Sequence, residues 1–258
     1  MSLLGKTLRY FVDLSDAGCG CNAALSLTSM RQNPHRSECF DHYCDANSAC
    51  GVSCTEIDLQ EANMYAWHST FHTSNDPTGM GRGYGGGGKG WSGPRDWTEA
   101  DYGPGGICID TKLPFAVSVA FPVAEDGGLA AMEVTLSQEG AADGGFSCEL
   151  AMSLSGYLGM QELSKALEAG MTPVVSYWKS DDMLWLDGLG ADYKGSCMVD
   201  DAEKCGEKVV FFGFALEDHA HTSVPTRPPP RSTGTEVVLT DAEQAPATPA
   251  VPPAAPPA

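Results

Sequence analysis

Glu56, Asp58 and Glu61 fall within six positions of TEIDLQEAN, residues 55–63, with few other charges nearby. Two neighbouring carboxyls resist being ionised together, so one keeps its proton while the other carries charge. Such a pair supplies one nucleophile and one proton donor. Double displacement at a sugar needs that equipment, with the two carboxyls about 5–5.5 Å apart. Asp58, between the two glutamates, is placed to hydrogen-bond Glu56 and orient it. In a regular strand, however, residues two apart share a face, so Glu56 and Asp58 agree while Glu61 points away. One bulge between Asp58 and Glu61 would shift the parity and turn all three to one side. Their backbone ends would then stand roughly 13 Å apart, four effective steps of about 3.3 Å, which two glutamates leaning inward would narrow. An acidic edge strand or a calcium site remains open as an alternative reading of the same residues.

The surrounding periodicity is mostly that of strands. LRYFVDL (8–14), FAVSVAF (115–121) and AAMEVTLS (130–137) alternate, and VVSYW (174–178), MLWLD (183–187) and EKVVFFGFALE (207–217) follow. Gly, Pro, Asn and Asp punctuate these runs, which predicts an antiparallel β-sandwich. MQELSKALEAG (160–170) predicts a helix with Met160, Leu163, Ala166 and Leu167 on one face and Gly170 as its C-cap. GMGRGYGGGGKGWSG (79–93) reads as a flexible loop. It nearly spells a phosphate loop, but Gly90 stands where a magnesium-binding hydroxyl is needed, so nucleotide binding is rejected. Residues 1–223 form the expected folded domain. The Pro/Ala-rich segment 224–258 is expected to be a disordered tail, because proline lacks an amide donor and branched apolar residues are scarce there.

In the 258-residue chain 34 acids face 15 bases, a net charge of −19, which argues against nucleic acid or an anionic membrane as partner. No stretch has the apolar length of a membrane-spanning helix. Ten cysteines crowd mainly into the first quarter, favouring disulfides and an oxidising compartment. Zinc held by Cys39, Cys44, Cys50 and Cys54 is the competing reading, weakened by spacings that make no paired CxxC knuckles. The opening MSLLGKTLRYFVDL has no apolar core or cleavage site of a signal peptide, so an export leader is expected upstream of it.

TEIDLQEAN resembles the E-x-D-x-x-E-A-N signature of glycoside hydrolase family seven, the cellobiohydrolases and endoglucanases. LLGKTLRYFVDLSDAGCGCNAALSLTSM resembles the family's LLG…F…VD…S…CG-x-NGALY…M segment. CDAN (44–47) resembles its CDxQ, and SYWKSDDMLWLDG with the later KGSC resembles SLW…NMLWLD…RGSC. The resemblance implies an all-β, concanavalin-like jelly roll with one or two short helices, incomplete at its N-terminus. It implies retaining hydrolysis of β-1,4-glucosidic bonds in cellulose or a related β-glucan, with no cofactor and no metal, by an extracellular monomer. Glu56 matches the nucleophile, Asp58 its partner, Glu61 the acid/base and His72 an active-site histidine. Trp178 and Trp185 match sugar-stacking tryptophans, whose flat faces suit pyranose C–H faces. Asn22, Asp45, Asn47 and Lys194 match polar substrate-binding positions. The resemblance also implies disulfides Cys19–Cys197 and Cys44–Cys54.

Departures from the family pattern are Ala23 and Ser26 in NGALY, Asn47 in CDxQ, and Lys194 for arginine. Ser53 stands where a cysteine would partner Cys50. Shortened segments favour an open, endo-acting cleft. A glucan-binding protein that has lost the ability to cut is the alternative that these departures favour.

Overall fold

The computed structural model describes residues 1–76, 81–84, 97–139, 148–188, 197–219, 236–240 and 243–244. Among them the strands are β1 (Lys6–Asp13), β2 (Cys21–Thr28), β3 (Glu56–Ala62), β4 (Trp67–His72), β5 (Gly81–Tyr84), β6 (Tyr102–Gly103) and β7 (Ile109–Asp110). Then come β8 (Phe115–Ala120), β9 (Met132–Ser137), β10 (Glu149–Leu154), helix α1 (Met160–Ala169), β11 (Thr172–Lys179), helical turn α2 (Leu184–Asp187), β12 (Lys208–Asp218), β13 (Glu236–Thr240) and β14 (Glu243–Gln244).

Two six-stranded sheets form the body, in the orders β10-β9-β8-β1-β12-β13 and β14-β11-β2-β3-β4-β5. Every pairing in them is antiparallel except β11 with β14. Alternation supplies the core. Leu8, Tyr10 and Val12 of β1 and Val117 and Val119 of β8 join Leu25 and Leu27 of β2, Ile57 of β3 and Phe71 of β4 in one buried cluster. Each such side chain stabilises the fold by about 1.5–3 kcal/mol on burial. The arrangement is the antiparallel β-sandwich that the punctuated alternation predicts.

Helix α1 buries Leu163, Ala166 and Leu167, the spacing read from the sequence. It stops at Gly170, whose φ of +97° a side chain would resist and whose amide reaches the Ala166 carbonyl at 2.9 Å.

Three sequence expectations need correction. MLWLD is not a strand: Leu184–Asp187 is a helical turn, because Met183 and Leu186, three apart, are the residues that bury against Ala66. The Asp200 carboxylate also takes the Met183 amide at the start of that turn. Within the segment expected to be structureless, Glu236–Thr240 adds an edge strand to β12, with Val237 and Leu239 against the core. The short EVVLT run has strand chemistry that the surrounding proline content hides. Within the expected Gly-rich loop, Gly81–Tyr84 pairs with β4, and the rest of 79–93 lies outside the described residues.

All ten cysteines are paired: Cys19–Cys197, Cys21–Cys205, Cys39–Cys50, Cys44–Cys54 and Cys108–Cys148. The four cysteines of the zinc reading are thus joined to one another in two disulfides. Cys50, lacking its family partner, pairs with Cys39.

Candidate active site

Strand β3 carries a bulge. Against β4, Asp58 faces Thr70 and Glu61 faces His68, so three steps on β3 meet two on its neighbour. Against β2 the shift falls between Leu25, opposite Gln60, and Ser26, opposite Asp58. Leu59 and Gln60 therefore both turn inward. Leu59 enters the core, while the buried Gln60 amide accepts from Tyr10 Oη at 3.0 Å and donates to the Ala23 carbonyl at 3.1 Å. A buried polar side chain left without such partners would cost about 1–3 kcal/mol, so the two bonds pin the kink. Ile57 and Ala62 also face the core. Glu56, Asp58 and Glu61 are left together on the opposite face of the sheet.

Each acid has its own partner. Glu56 Oε2 accepts the Ala46 amide at 2.9 Å, from the loop closed by Cys44–Cys54. Asp58 Oδ1 accepts Ser26 Oγ at 2.6 Å, and Asp58 Oδ2 lies 3.0 Å from His72 Nε2. Glu61 Oε1 accepts Asn22 Nδ2 at 3.0 Å, while the same asparagine's oxygen takes the Ala62 amide at 3.1 Å. His72 Nδ1 lies 2.8 Å from the Asp76 carbonyl, which can only accept, so that nitrogen carries hydrogen.

Electrostatics sorts the protons. Burial and then the charge of Asp58 push the Glu56 carboxyl well above the usual range, against the pull of the Ala46 amide and His72. Burial, then Asp58, raises Glu61 to about 8, with His72 and Asn22 opposing. For His72, burial works against the charge, but the hydrogen bond and charge of Asp58, aided by the Asp76 carbonyl, outweigh it and lift the ring to about 9. The row at neutral pH thus holds an imidazolium against Asp58, flanked by two glutamates that retain protons readily.

The tryptophans lie at the Glu61 end. Trp178 stands opposite Asn22 across β11 and β2. It stacks on Trp185 at 6.4 Å between ring centroids and 23° between planes, and Trp185 sets its edge to His68, the cross-strand neighbour of Glu61. At the Glu56 end, Asp45 is buried and its carboxylate takes the Ala49 amide at 2.9 Å. Asn47 is exposed. Lys194 lies outside the described residues. Two hollows, of about 550 and 210 Å³, have no acid of the row in their walls.

Sequence reasoning names Asn22 and His72 on this face but misses Ser26, His68 and Thr70. Ser26 and Asn22 share it by simple alternation along β2, as His68, Thr70 and His72 do along β4. Period two would have found them once β4 was recognised as a strand. Tyr43 is another: burial, then the charges of Asp45, Glu56 and Asp58, hold its hydroxyl protonated. Cys19, Asp187 and Cys197 converge closely enough for a metal, but the two sulfurs are bonded to each other and offer no thiolate.

The chain is 30% identical over 226 residues to an endoglucanase EG-1 of Hypocrea jecorina, a match covering 74% of this chain and 47% of the relative. It is 28% identical over 237 residues to a probable endo-beta-1,4-glucanase celB of Aspergillus fumigatus, covering 76% of this chain and 57% of that one. A family-seven cellobiohydrolase from Daphnia pulex shares the fold with a TM-score of 0.59 at 20% identity, over 85% of this chain and 71% of the other. The chain is thus similar to these endoglucanases in sequence and to family-seven glycoside hydrolases in fold. No family model matches it. The chain spans about half the length of the curated relatives it matches.

A cellobiohydrolase from Melanocarpus albomyces, solved with cellotetraose, has the same fold with a TM-score of 0.58 at 18% identity, over 85% of this chain and 71% of that one. Such likeness supports the sandwich. It leaves the roles of individual side chains to the geometry.

Proposed function

We propose that the chain is the site-bearing part of a retaining, endo-acting β-1,4-glucanase in which Glu56 is the nucleophile and Glu61 the acid/base. The observation that carries this is the bulge at Leu59–Gln60. It brings two glutamates and an aspartate to one face, each with a different partner. The Ala46 N–H on Glu56 Oε2, with His72, pulls that carboxyl toward the ionised form a nucleophile needs, against burial and the charge of Asp58, which raise it overall. Glu61 has a side-chain donor on one oxygen and a raised pKa, so it holds a proton for the leaving glycosidic oxygen and can later deprotonate water. Asp58, clamped by Ser26 and His72, puts a fixed negative charge between them and keeps the two glutamates from ionising together. The stacked Trp178–Trp185 pair beside Glu61 offers flat faces to glucose rings. Polysaccharide is the proposed partner, and five disulfides suit an extracellular setting.

Glu56→Gln, which keeps shape and hydrogen bonding, is expected to lower kcat on a soluble β-1,4-glucan by at least about a thousandfold, with the folded near-UV spectrum retained. Equal turnover in that variant rules the mechanism out. Cello-oligosaccharide binding by the parent chain without release of reducing sugar would instead select the glucan-binding reading.

A further inference from the structure

The strongest chain of contacts not yet accounted for leads away from the acids. His72 ends β4, and the next four residues form a turn in which the Asp76 amide reaches the Thr73 carbonyl at 3.0 Å. The carbonyl of Asp76 takes the His72 Nδ1 hydrogen at 2.8 Å. This turn is held from outside by the segment that leads into α1. Tyr157 Oη donates to Asp76 Oδ2 at 2.8 Å and accepts the Thr73 amide at 3.0 Å, joining both ends of the turn through one oxygen. The Tyr157 ring stacks on Phe71, a buried β4 residue, with centroids 6.0 Å apart and planes 25° apart, so the hydroxyl is aimed by core packing.

The approach of the two segments is close. A Cβ at Gly159 would lie 2.2 Å from Thr73 Cγ2 and 2.4 Å from the Tyr157 ring, a space that only glycine leaves open. From the first turn of α1, Glu162 Oε1 takes the Ser74 amide at 2.8 Å and the Thr55 hydroxyl at 2.6 Å, gripping the same turn and the residue before Glu56. A hollow of about 550 Å³, lined by Thr73, Asp76, Tyr157, Leu158 and Glu162, opens beside these contacts.

We propose that Tyr157, acting through Asp76, is a positioning residue for the His72–Asp58 pair: its hydroxyl fixes the turn whose carbonyl sets the orientation of the His72 ring. The proposal deepens the glucanase reading and rests on it for its effect on turnover. The physical logic is that a carbonyl held in place on Nδ1 aims the Nε2 hydrogen of the ring at Asp58 Oδ2, between the two glutamates. If the turn relaxes, the ring can swing, and the charge that separates the roles of Glu56 and Glu61 loses its anchor. The charged and titratable groups around His72 are Glu56, Asp58 and Glu61 from β3, Asp76 from the turn, and Tyr157 from the segment before α1.

Tyr157→Phe removes the hydroxyl and keeps the ring on Phe71. Asp76→Asn keeps an acceptor for Tyr157, and Asp76→Ala deletes it. With cellotetraose as substrate, kcat is expected to fall about tenfold in Tyr157→Phe and Asp76→Ala, with KM within about twofold, and to stay near the parent value in Asp76→Asn. Titration of the His72 ring by nitrogen NMR is expected to move to lower pH in the first two variants and not in the third. Unchanged His72 titration in Tyr157→Phe overturns the proposal, whether or not kcat falls, and so does a loss in Asp76→Asn as large as in Asp76→Ala. If the parent chain cleaves no glucan, the glucanase reading fails by itself, and the NMR titration still decides whether Tyr157 positions His72.

Discussion

Asn22→Ala tests the assignment of the acid/base through a proton rather than through lost activity. Asn22 Nδ2 is the hydrogen-bond donor on Glu61 Oε1, at 3.0 Å, and it favours the ionised form of a carboxyl whose pKa already stands at about 8. A hydrogen bond to a charged acceptor contributes about 1.5–3 kcal/mol. At about 1.4 kcal/mol per pH unit, its removal lifts Glu61 by roughly one to two further units. The same change strips the Ala62 amide of its acceptor and costs about 1–3 kcal/mol of stability, which a melting curve records separately. The assay is kcat/KM on cellotetraose between pH 4 and 10. If Glu61 must be protonated to act, activity in the parent falls on the basic side as pH rises through about 8. In the variant that limb moves alkaline by at least about one unit. A basic limb that stays in place or moves toward acid refutes the assignment of that proton to Glu61.

Further expectations concern stability, binding and the bulge. Folding raises the pKa of Asp187 to about 7, of Glu61 to about 8 and of His72 to about 9, above ordinary values of 3.8, 4.5 and 6.5. Each group thus holds its proton more tightly folded than unfolded. Its stabilisation is complete below the ordinary value and drains as pH rises through the raised one. The melting temperature should therefore decline from about pH 4 to about pH 9, and Glu61→Gln should flatten the section between about 4.5 and 8; a melting temperature that rises over that range contradicts the proton placement. Trp185→Ala, which removes one member of the stacked pair, should weaken cello-oligosaccharide binding about tenfold by calorimetry, equivalent to about 1.4 kcal/mol, and unaltered affinity would take the tryptophans out of the binding surface. Gln60→Leu leaves the buried Tyr10 hydroxyl without its 3.0 Å acceptor and should lower unfolding free energy by about 1–3 kcal/mol in denaturant titration, together with a fall in kcat; a variant with full stability and full activity would mean that Gln60 does not hold the bulge.

Much of the sandwich was legible because half-buried strands alternate, as in LRYFVDL and FAVSVAF. The bulge was legible in outline, since three acids at 56, 58 and 61 share a face only if one residue is added. What the sequence did not disclose was the residue that pins it. Gln60 is polar and gives no apolar signal, yet it is fully buried because Tyr10 and a backbone carbonyl satisfy it. MLWLD misled because a short unbroken apolar run bounded by charged residues has no period that separates strand from helix. Its burial follows Met183 and Leu186, and its start is capped by Asp200, thirteen or more residues further on, which local pattern cannot see. WHSTFH was not recognised as a strand because two histidines, a serine and a threonine dilute its period, and of these His68, Thr70 and His72 are the ones that face the acids. The disulfides beyond Cys19–Cys197 and Cys44–Cys54 depend on which loops the sheets bring together, a matter of topology rather than spacing.

The central claim is that Glu56 attacks the sugar while Glu61 handles the proton. Incubation with an activated 2-deoxy-2-fluoro-cellobioside, followed by proteolysis and peptide mass spectrometry, tests it most directly. A retaining mechanism with these roles predicts a glycosyl adduct on Glu56 and none on Glu61. An adduct on Glu61, or turnover that inverts the anomeric centre and leaves no adduct, contradicts it.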